Sequence, residues 1–200
     1  MRFLWVSPTG TGLEIAHRLI TGGHTVVGWG SPLEGIPAID RLGLMSFARA
    51  ADLVIVDGTF PLVPTRRSWR PSTESLFFDE LRRHHDILAL GPTPTVDLLA
   101  ADGRYLRKIM GRFGIPAGPA DLPGEPWSSG AWFLGNRVVP HGPYLSSLVP
   151  LFKSVGFRGW FELTGVVTED GPVVTGCNAS WPPDTLPAGR EADWLREMAA

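Results

Sequence analysis

Cysteine is nearly absent from this sequence of 200 residues, since Cys177 is the only one. A single cysteine excludes an internal disulfide and a metal site built from cysteine thiolates, and we interpret Cys177 as a small buried hydrophobe. Basic residues are not in excess either, because 18 Lys and Arg stand against 20 Asp and Glu. Proteins that bind DNA or RNA usually present a basic face. The composition therefore predicts no nucleic-acid partner.

Long hydrophobic runs are missing as well. The apolar run nearest the N-terminus, Phe3–Val6, ends at Ser7 and Pro8 and is too short for a signal peptide or a membrane span. The sequence also carries no internal repeat and no low-complexity tract. A single cysteine fits a reducing compartment. We therefore expect a cytoplasmic protein that has no membrane partner.

What the chain does contain is enough apolar material for a sizeable core, with 44% hydrophobic residues. Its 24 glycines and 19 prolines predict many turns, and its eight tryptophans predict large aromatic anchors. Five of the tryptophans lie in the second half, and four of these could fill a core, line a ligand pocket or form an interface. We favour core filling for these four residues, which are Trp127, Trp132, Trp160 and Trp181.

The first ninety residues alternate between short apolar runs and helical patterns. The predicted strands are the four runs Arg2–Ser7, His24–Trp29, Leu53–Asp57 and Asp86–Leu90. A helix is predicted from Leu13 to the glycine pair 22–23, and another over Ser72–His85 with Leu76, Phe77 and Leu81 facing inward. This alternation predicts βαβ units and a parallel sheet.

A glycine-containing turn follows the first strand, with Gly10, Thr11 and Gly12 directly before the helix. Backbone N–H groups and a helix N-terminus at such a turn can hold an anion. The pattern is not a full G-x-G-x-x-G, because Ile15 occupies the last position. A tight turn that needs glycine conformations explains it equally well. Glu14 is either a ligand contact or a favourable charge near the helix dipole.

Residues Leu90–Pro116 form an amphipathic helical segment that joins the two halves of the chain. The apolar positions that share one helical face are Val96, Leu99, Leu106, Met110 and Phe113. Thr93 is predicted to cap the N-terminus and Pro94 suits the first turn. Gly114 is predicted to end the helix. The pair Asp102–Gly103 could divide it into two.

The second half reads as hairpins and short helices. Residues 117–129 are rich in Pro and Gly and predict a linker. Pro150 predicts a break within the helical pattern of Tyr144–Val155. The remaining predicted elements are a hairpin of Ala131–Leu134 and Arg137–Pro140 about Gly135–Asn136, a hairpin of Trp160–Val167 and Val173–Cys177, and a terminal helix over Arg190–Met198.

Several segments match, in order, the motifs of one enzyme family. These segments are Asp52–Val56 with Pro61–Val63, Gly91-Pro92-Thr93, Met110 to Pro116, Leu122–Ser128, Phe133–Pro140 and Gly159–Asn178. In this order they resemble phosphoribosylamine–glycine ligase, a purine-biosynthesis enzyme of the ATP-grasp superfamily. The resemblance touches most of the chain, although no single motif in it is decisive.

This resemblance implies an α/β fold in three parts. A Rossmann-like pre-ATP-grasp domain with a parallel sheet would span residues 1–92. A junction helix and linker would follow over 93–120, and a truncated ATP-grasp-like α+β remnant over 121–200. The resemblance also implies ATP and Mg²⁺ as cofactors and carboxylate–amine ligation as the reaction.

The departures from the family concern the residues that hold ATP and Mg²⁺. The block with the lysine strand and the glycine-rich lid is missing after Ala120. Gly103 stands where the family has a lysine, so that only Arg104 or Arg107 could supply charge there. Phosphoryl transfer depends on such cations and on metal.

The metal-binding step is equally reduced. Gly176 replaces a glutamate and leaves Asn178 as the matching metal ligand, so Glu162 or Glu169 would have to substitute. Mg²⁺ normally requires one or two carboxylates. Ordinary ATP-dependent ligation is therefore not expected.

We infer from the sequence a non-catalytic binder of a small phosphate-bearing ligand or nucleotide. Two alternatives remain, an active amine ligase completed by a partner chain in a homo- or hetero-oligomer, and an interaction subunit without a small ligand. The candidate ligand-binding residues are Gly10, Thr11, Gly12, Glu14, Asp57, Gly91, Pro92, Thr93, Arg104 and Glu125, with Asn178 as a candidate metal ligand.

Overall fold

A computed structural model describes residues 1–30, 33–66, 68–84, 87–134, 137–141, 144–182, 184 and 186–199. The strands are β1 Arg2–Ser7, β2 Thr25–Gly30, β3 Leu53–Val56, β4 Leu62–Pro64, β5 Trp69–Pro71, β6 Ala89–Leu90, β7 Glu125–Leu134, β8 Arg137–His141, β9 Gly159–Thr168 and β10 Gly171–Asn178. The α-helices are α1 Leu13–Thr21, α2 Arg41–Ala50, α3 Thr73–His84, α4 Pro94–Ala101, α5 Gly103–Arg112, α6 Val149–Ser154 and α7 Glu191–Ala199.

The first sheet is parallel and has the strand order β2-β1-β3-β6. Its central strands are buried on both faces, which explains their nearly continuous aliphatic sequences. Phe3 and Trp5 pack on the side of α1 and α7, whereas Leu4 and Val6 pack on the side of α2 and α3. The predicted α/β fold with a parallel sheet is confirmed.

The second sheet is antiparallel, with the order β10-β9-β7-β8. Both predicted hairpins are present, and the turn Gly135–Asn136 lies outside the described residues. A 3₁₀ helix over Leu145–Leu148 precedes α6, which confirms the break at Pro150. The linker prediction is wrong over residues 125–129, because β7 begins at Glu125 and pairs with β9 along its whole first half.

The junction consists of two helices that meet at Asp102, as the sequence allowed. The side chain of Asp102 accepts hydrogen bonds from the N–H groups of Arg104 (2.9 Å) and Tyr105 (3.1 Å) and so caps α5. Gly114 has φ +67° and directly follows the last residues of α5, as predicted. Thr93 makes no capping hydrogen bond, which contradicts the predicted cap.

Three local features of the first half differ from expectation. Helix α2 was not predicted, although Asp40 caps it by accepting from the N–H of Gly43 (2.7 Å). In α3 the buried apolar residues are Phe78 and Leu81, so the inward position of Leu81 is confirmed, whereas Leu76 is 53% exposed. Its sequence neighbour Phe77, which is half-buried, packs edge-on against Phe78. His85 and Asp86, which the predictions placed in α3 and β6, lie outside the described residues.

Tryptophans join the two sheets. Trp181 is fully buried and makes edge-to-face contacts with Trp5 of β1 and Trp132 of β7. The ring centroids lie 6.3 Å apart in the first pair and 5.1 Å apart in the second. Trp160 in turn contacts Trp132 (5.5 Å). Core filling is thus confirmed for three of the four tryptophans, while Trp127 is half-buried. Within the described ranges no helix is long and apolar enough to cross a membrane.

Candidate functional site

The candidate site lies where β1 and β3 end. The chain leaves β1 towards β2 on one side and returns through α2 to β3 on the other. In open α/β sheets, ligands bind outside the carboxyl ends of the strands at such a reversal of strand order. The two segments that meet there are the turn over residues 7–12 and the residues that follow β3, beginning with Asp57.

A buried carboxylate holds the turn in place. The Oδ2 atom of Asp57 accepts hydrogen bonds from Trp5 Nε1 (2.8 Å), Ser7 Oγ (2.7 Å) and the N–H of Gly12 (3.1 Å). The hydroxyl of Ser7 also accepts from the N–H of Gly10 (2.9 Å). Asp57 therefore orders the glycine turn through its carboxylate, and the sequence pattern had identified it only as a site residue.

Burial raises the pKa of Asp57, and its hydrogen bonds with Ser7, Trp5 and Gly12 oppose that rise. The second oxygen, Oδ1, is buried without a hydrogen-bond partner. Gly12 is required for close packing rather than for an unusual dihedral angle. A Cβ at this position would lie 2.7 Å from Asp57 Cβ and 3.0 Å from Trp5 Cζ2.

Hydroxyl groups line the rim of the turn. The exposed side chains of Thr9 and Thr11 are hydrogen-bonded to each other, with their Oγ1 atoms 2.6 Å apart. Gly58 follows Asp57, and a Cβ there would lie 2.9 Å from Thr9 Oγ1 and 3.3 Å from Ser180 Oγ. Thr9, Gly58 and Ser180 are thus neighbours, although they come from three distant parts of the chain.

The segment after β10 is tied to this edge by its backbone. The N–H of Trp181 donates to the carbonyl oxygen of Asp57 (3.0 Å), and the N–H of Ser180 donates to Asn178 Oδ1 (2.9 Å). Asn178, the candidate metal ligand, therefore lies two residues before Ser180, and its side-chain oxygen already accepts a hydrogen bond. Glu14 is exposed in the first turn of α1, next to the same rim.

Gly91, Pro92 and Thr93 are buried in the contact between the two sheets. The N–H of Gly91 donates to the carbonyl oxygen of Arg158 (2.6 Å), which joins β6 to the start of β9. Arg82 Nη2 donates to the carbonyl oxygens of Gly91 (3.3 Å) and Pro92 (3.2 Å). Gly91 has φ +121°, and a Cβ there would lie 2.2 Å from the carbonyl oxygen of Val56.

A second buried carboxylate, Asp97 of α4, was not identified from the sequence. Its Oδ1 accepts from the N–H of Phe60 (3.0 Å) and its Oδ2 accepts from the hydroxyl of Ser75. Burial raises its pKa to about 7, although hydrogen bonds and Arg82 oppose the rise. A single acidic residue within an apolar helix was the only signal in the sequence.

Arg104 and Glu125 lie apart from the glycine turn. Arg104 is exposed and lines a cavity of about 610 Å³ between the β4–β5 hairpin and the start of α5, together with Trp69 and Arg107. Glu125 is exposed at the first residue of β7. The fold therefore brings Gly10, Thr11, Gly12, Glu14 and Asp57 together. Gly91 lies beside Val56 at the end of the neighbouring strand, and Asn178 lies two residues before Ser180, whereas Arg104 and Glu125 lie elsewhere.

The positions at which the resemblance implies ligands for Mg²⁺ and ATP lack most of the side chains that those groups need. Glu162 is paired with Asn178 across β9 and β10, but Gly176 faces Thr164, whose Oγ1 would lie 2.8 Å from a Cβ at position 176. Among the described residues there is no cluster of three His, Cys, Asp or Glu side chains. The sequence contains only two lysines, Lys108 and Lys153, which are exposed on α5 and α6.

No protein-family profile matches the sequence, and no curated protein is significantly similar to it. Solved structures are nevertheless similar in fold. The phosphoribosylaminoimidazole carboxylase ATPase subunit from Aquifex aeolicus has a TM-score of 0.60 at 8% identity, over 89% of this chain and 67% of its own. Phosphoribosylamine–glycine ligase from Thermotoga maritima has a TM-score of 0.60 at 12% identity, over 100% of this chain and 75% of its own.

The D-alanine–D-alanine ligase from Bacillus anthracis, solved with ATP, has a TM-score of 0.57 at 10% identity, over 100% of this chain and 95% of its own. All three neighbours are ATP-grasp enzymes. The chain shares the overall fold of these structures. Identities of this size carry the fold alone, and they do not single out phosphoribosylamine–glycine ligase among these neighbours.

Proposed function

We propose that this protein binds a small phosphate-bearing ligand or nucleotide at the carboxyl edge of its parallel sheet and does not catalyse ATP-dependent ligation. The observation that carries the proposal is the buried carboxylate of Asp57, which fixes the turn over residues 7–12 through three hydrogen bonds. A turn held in this way is ordered before a ligand arrives, so binding loses little conformational entropy.

The chemistry of the rim favours phosphate oxygens as acceptors. The hydroxyl groups of Thr9, Thr11 and Ser180 lie at this rim, and one of the two threonine hydroxyls donates to the other. The first N–H groups of an α-helix have no partner within the helix and favour anions. The two neighbours whose descriptions mention ATP or ATPase activity are consistent with a nucleotide as the ligand.

The proposed loss of ligase activity follows from the missing cations and carboxylates. Both lysines of the chain are exposed on helices, and position 176 has no side-chain oxygen. Without these groups the negative charge that develops during phosphoryl transfer is not neutralised. A Mg²⁺ ion held by Glu162 and Asn178 alone would have a single protein carboxylate.

The test introduces a negative charge at the rim. Thr11→Glu should weaken the binding of adenosine 5′-monophosphate or ribose 5-phosphate by about tenfold or more, since like charges repel at short range. Thr73→Glu is the matched control, because Thr73 is likewise exposed at the start of a helix, α3. Calorimetric titration measures both. The proposal would be refuted if the unsubstituted protein gave no binding heat with both ligands, or if the two variants weakened binding equally.

The alternative of an active ligase completed by a partner chain has one supporting observation, the pairing of Glu162 with Asn178. It predicts release of ADP from Mg²⁺–ATP in the presence of an amino acid, an amine and a partner. An interaction subunit built on exposed tryptophans is disfavoured, because Trp132, Trp160 and Trp181 are buried.

A further inference from the structure

A second cavity, of about 520 Å³, lies on another part of the molecule. It is bounded by the last turn of α3, the residues that lead into β6, and the connection between α6 and β9. Four of its lining side chains are cationic, and the described lining residues include no carboxylate. These four cations are Arg82, Arg83, Lys153 and Arg158.

Arg82 is the most informative of the four, because its side chain is only 10% exposed. Its Nη2 atom donates to the carbonyl oxygens of Gly91 and Pro92, whereas Nε and Nη1 are buried without a hydrogen-bond partner. Buried guanidinium donors that lack acceptors are costly, since the group has lost its hydration. An anion in the cavity would lower that cost through its charge.

The positive charge around Arg82 is only partly balanced. Asp79 and Asp97 are the acidic neighbours of Arg82. Asp79 Oδ1 lies 3.7 Å from Arg82 Nη1 and its Oδ2 lies 2.9 Å from Arg83 Nε, so this carboxylate serves two guanidinium groups. Burial and the nearby charges of Arg83 and Arg158 lower the pKa of Arg82 to about 10, so the group still carries its charge at neutral pH.

We propose that this cavity is a binding site for a small oxyanion with two or more phosphate groups. The forked guanidinium of Arg83 and the ammonium group of Lys153 provide suitable donors for phosphate oxygens, and the buried charge of Arg82 lies behind them. A cavity of about 520 Å³ has room for a small metabolite. This site is separate from the carboxyl edge and does not depend on the function proposed there.

Calorimetric titration with pyrophosphate tests the site on the full chain. Lys153→Gln and Arg83→Gln should each weaken pyrophosphate binding by about fivefold to tenfold, and the double variant should weaken it further. Arg82 is left intact, because it supports the backbone at Gly91 and Pro92. Lys108→Gln is the matched control, since it removes the same charge from an exposed position on α5.

Inorganic phosphate provides the second arm and should bind more weakly than pyrophosphate, because it offers fewer charged oxygens to the same donors. Thr11→Glu should leave the part of the pyrophosphate affinity that depends on Lys153 unchanged, which separates this site from the carboxyl edge. Three results would overturn the proposal. These are no binding of pyrophosphate at millimolar concentration, equal weakening by Lys108→Gln and Lys153→Gln, or loss of binding in the Thr11→Glu variant.

Discussion

The two sheets of this protein differ in the polar groups that they carry. The parallel sheet ends in a turn that is fixed by the buried carboxylate of Asp57 and surrounded by hydroxyl groups. The antiparallel sheet has Gly176 facing Thr164, and it contributes Trp132 and Trp160 to the core between the sheets. One sheet therefore carries a preformed polar site, whereas the other mainly contributes packing.

The difference indicates how a binding site and a catalytic site depend on sequence. The turn over residues 7–12 depends on a few glycines and on one carboxylate. A Mg²⁺–ATP site needs several carboxylates and cations from separate strands, and each loss weakens it. Under the proposed function, a fold similar to that of ATP-grasp ligases keeps a binding turn without a complete Mg²⁺–ATP site.

The largest expected effect concerns the contact between the two sheets. Trp181→Ala should lower the free energy of unfolding by about 3–5 kcal/mol, because it leaves a cavity beside Trp5 and Trp132. Urea denaturation measures this change. Trp69→Ala is the control, since Trp69 is 48% exposed, and it should have a small effect. Equal effects of the two variants would show that the sheets do not depend on Trp181.

The next effect concerns the polar end of the parallel sheet. Asp57→Ala should lower the free energy of unfolding by about 3 kcal/mol, because the donors of Trp5, Ser7 and Gly12 would lose their shared acceptor. Asp193→Ala, at an exposed position on α7, should change stability little. A chemical denaturation series compares the two. An Asp57→Ala protein as stable as the control would remove the structural role assigned to this carboxylate.

A pH series examines the carboxylate of Asp97, which lies on the helix between the sheets. Its folded pKa of about 7 exceeds the ordinary value of 3.8, so the folded state binds its proton more tightly. This group's contribution to stability is complete below about pH 4 and is lost as the pH rises towards 7. The slope should reach at most about 1.4 kcal/mol per pH unit.

The control for that series is Asp97→Asn, which removes the titrating group while keeping its size. The difference in unfolding free energy between this variant and the natural protein should change between pH 4 and 7. Parallel curves for the two proteins would contradict the assigned pKa.

The smallest effect concerns the antiparallel sheet. Gly176→Ala should cost about 1 kcal/mol or less, because the new Cβ would lie 2.8 Å from Thr164 Oγ1, an atom that can move by side-chain rotation. Adding Thr164→Ala should remove the cost in a double-mutant cycle of thermal unfolding. Additive effects of the two substitutions would show that Thr164 does not limit the space at position 176.

Sequence reasoning succeeded where a pattern is local. The bounds of β1, the break at Asp102 and the end of α5 before Gly114 follow from short-range propensity and capping. Helix α2 was missed because Leu44 and Ala48 are its only buried residues and give a weak periodic signal. In α3 the prediction was right for Leu81 and wrong for Leu76, because the burial of Phe78 depends on its packing against Trp29 and Phe60.

The site was only partly predictable, because its contacts are long-range. The sequence identified Gly10, Gly12 and Asp57, which the fold brings together. It could not reveal that Asp57 bonds to Trp5 or that Ser180 approaches Gly58, since these contacts depend on tertiary structure. The buried group of Asp97 and the cavity beside Arg82 depend on the same kind of packing.

The most direct test of the central claim is a titration followed by backbone amide NMR shifts. Adenosine 5′-monophosphate should shift the amide signals of residues 9–14 and of Gly58 in a saturable manner, and it should leave residues 162–164 and 176–178 largely unchanged. Shifts confined to the antiparallel sheet, or no saturable shift at all, would contradict the assignment of ligand binding to the carboxyl edge of the parallel sheet.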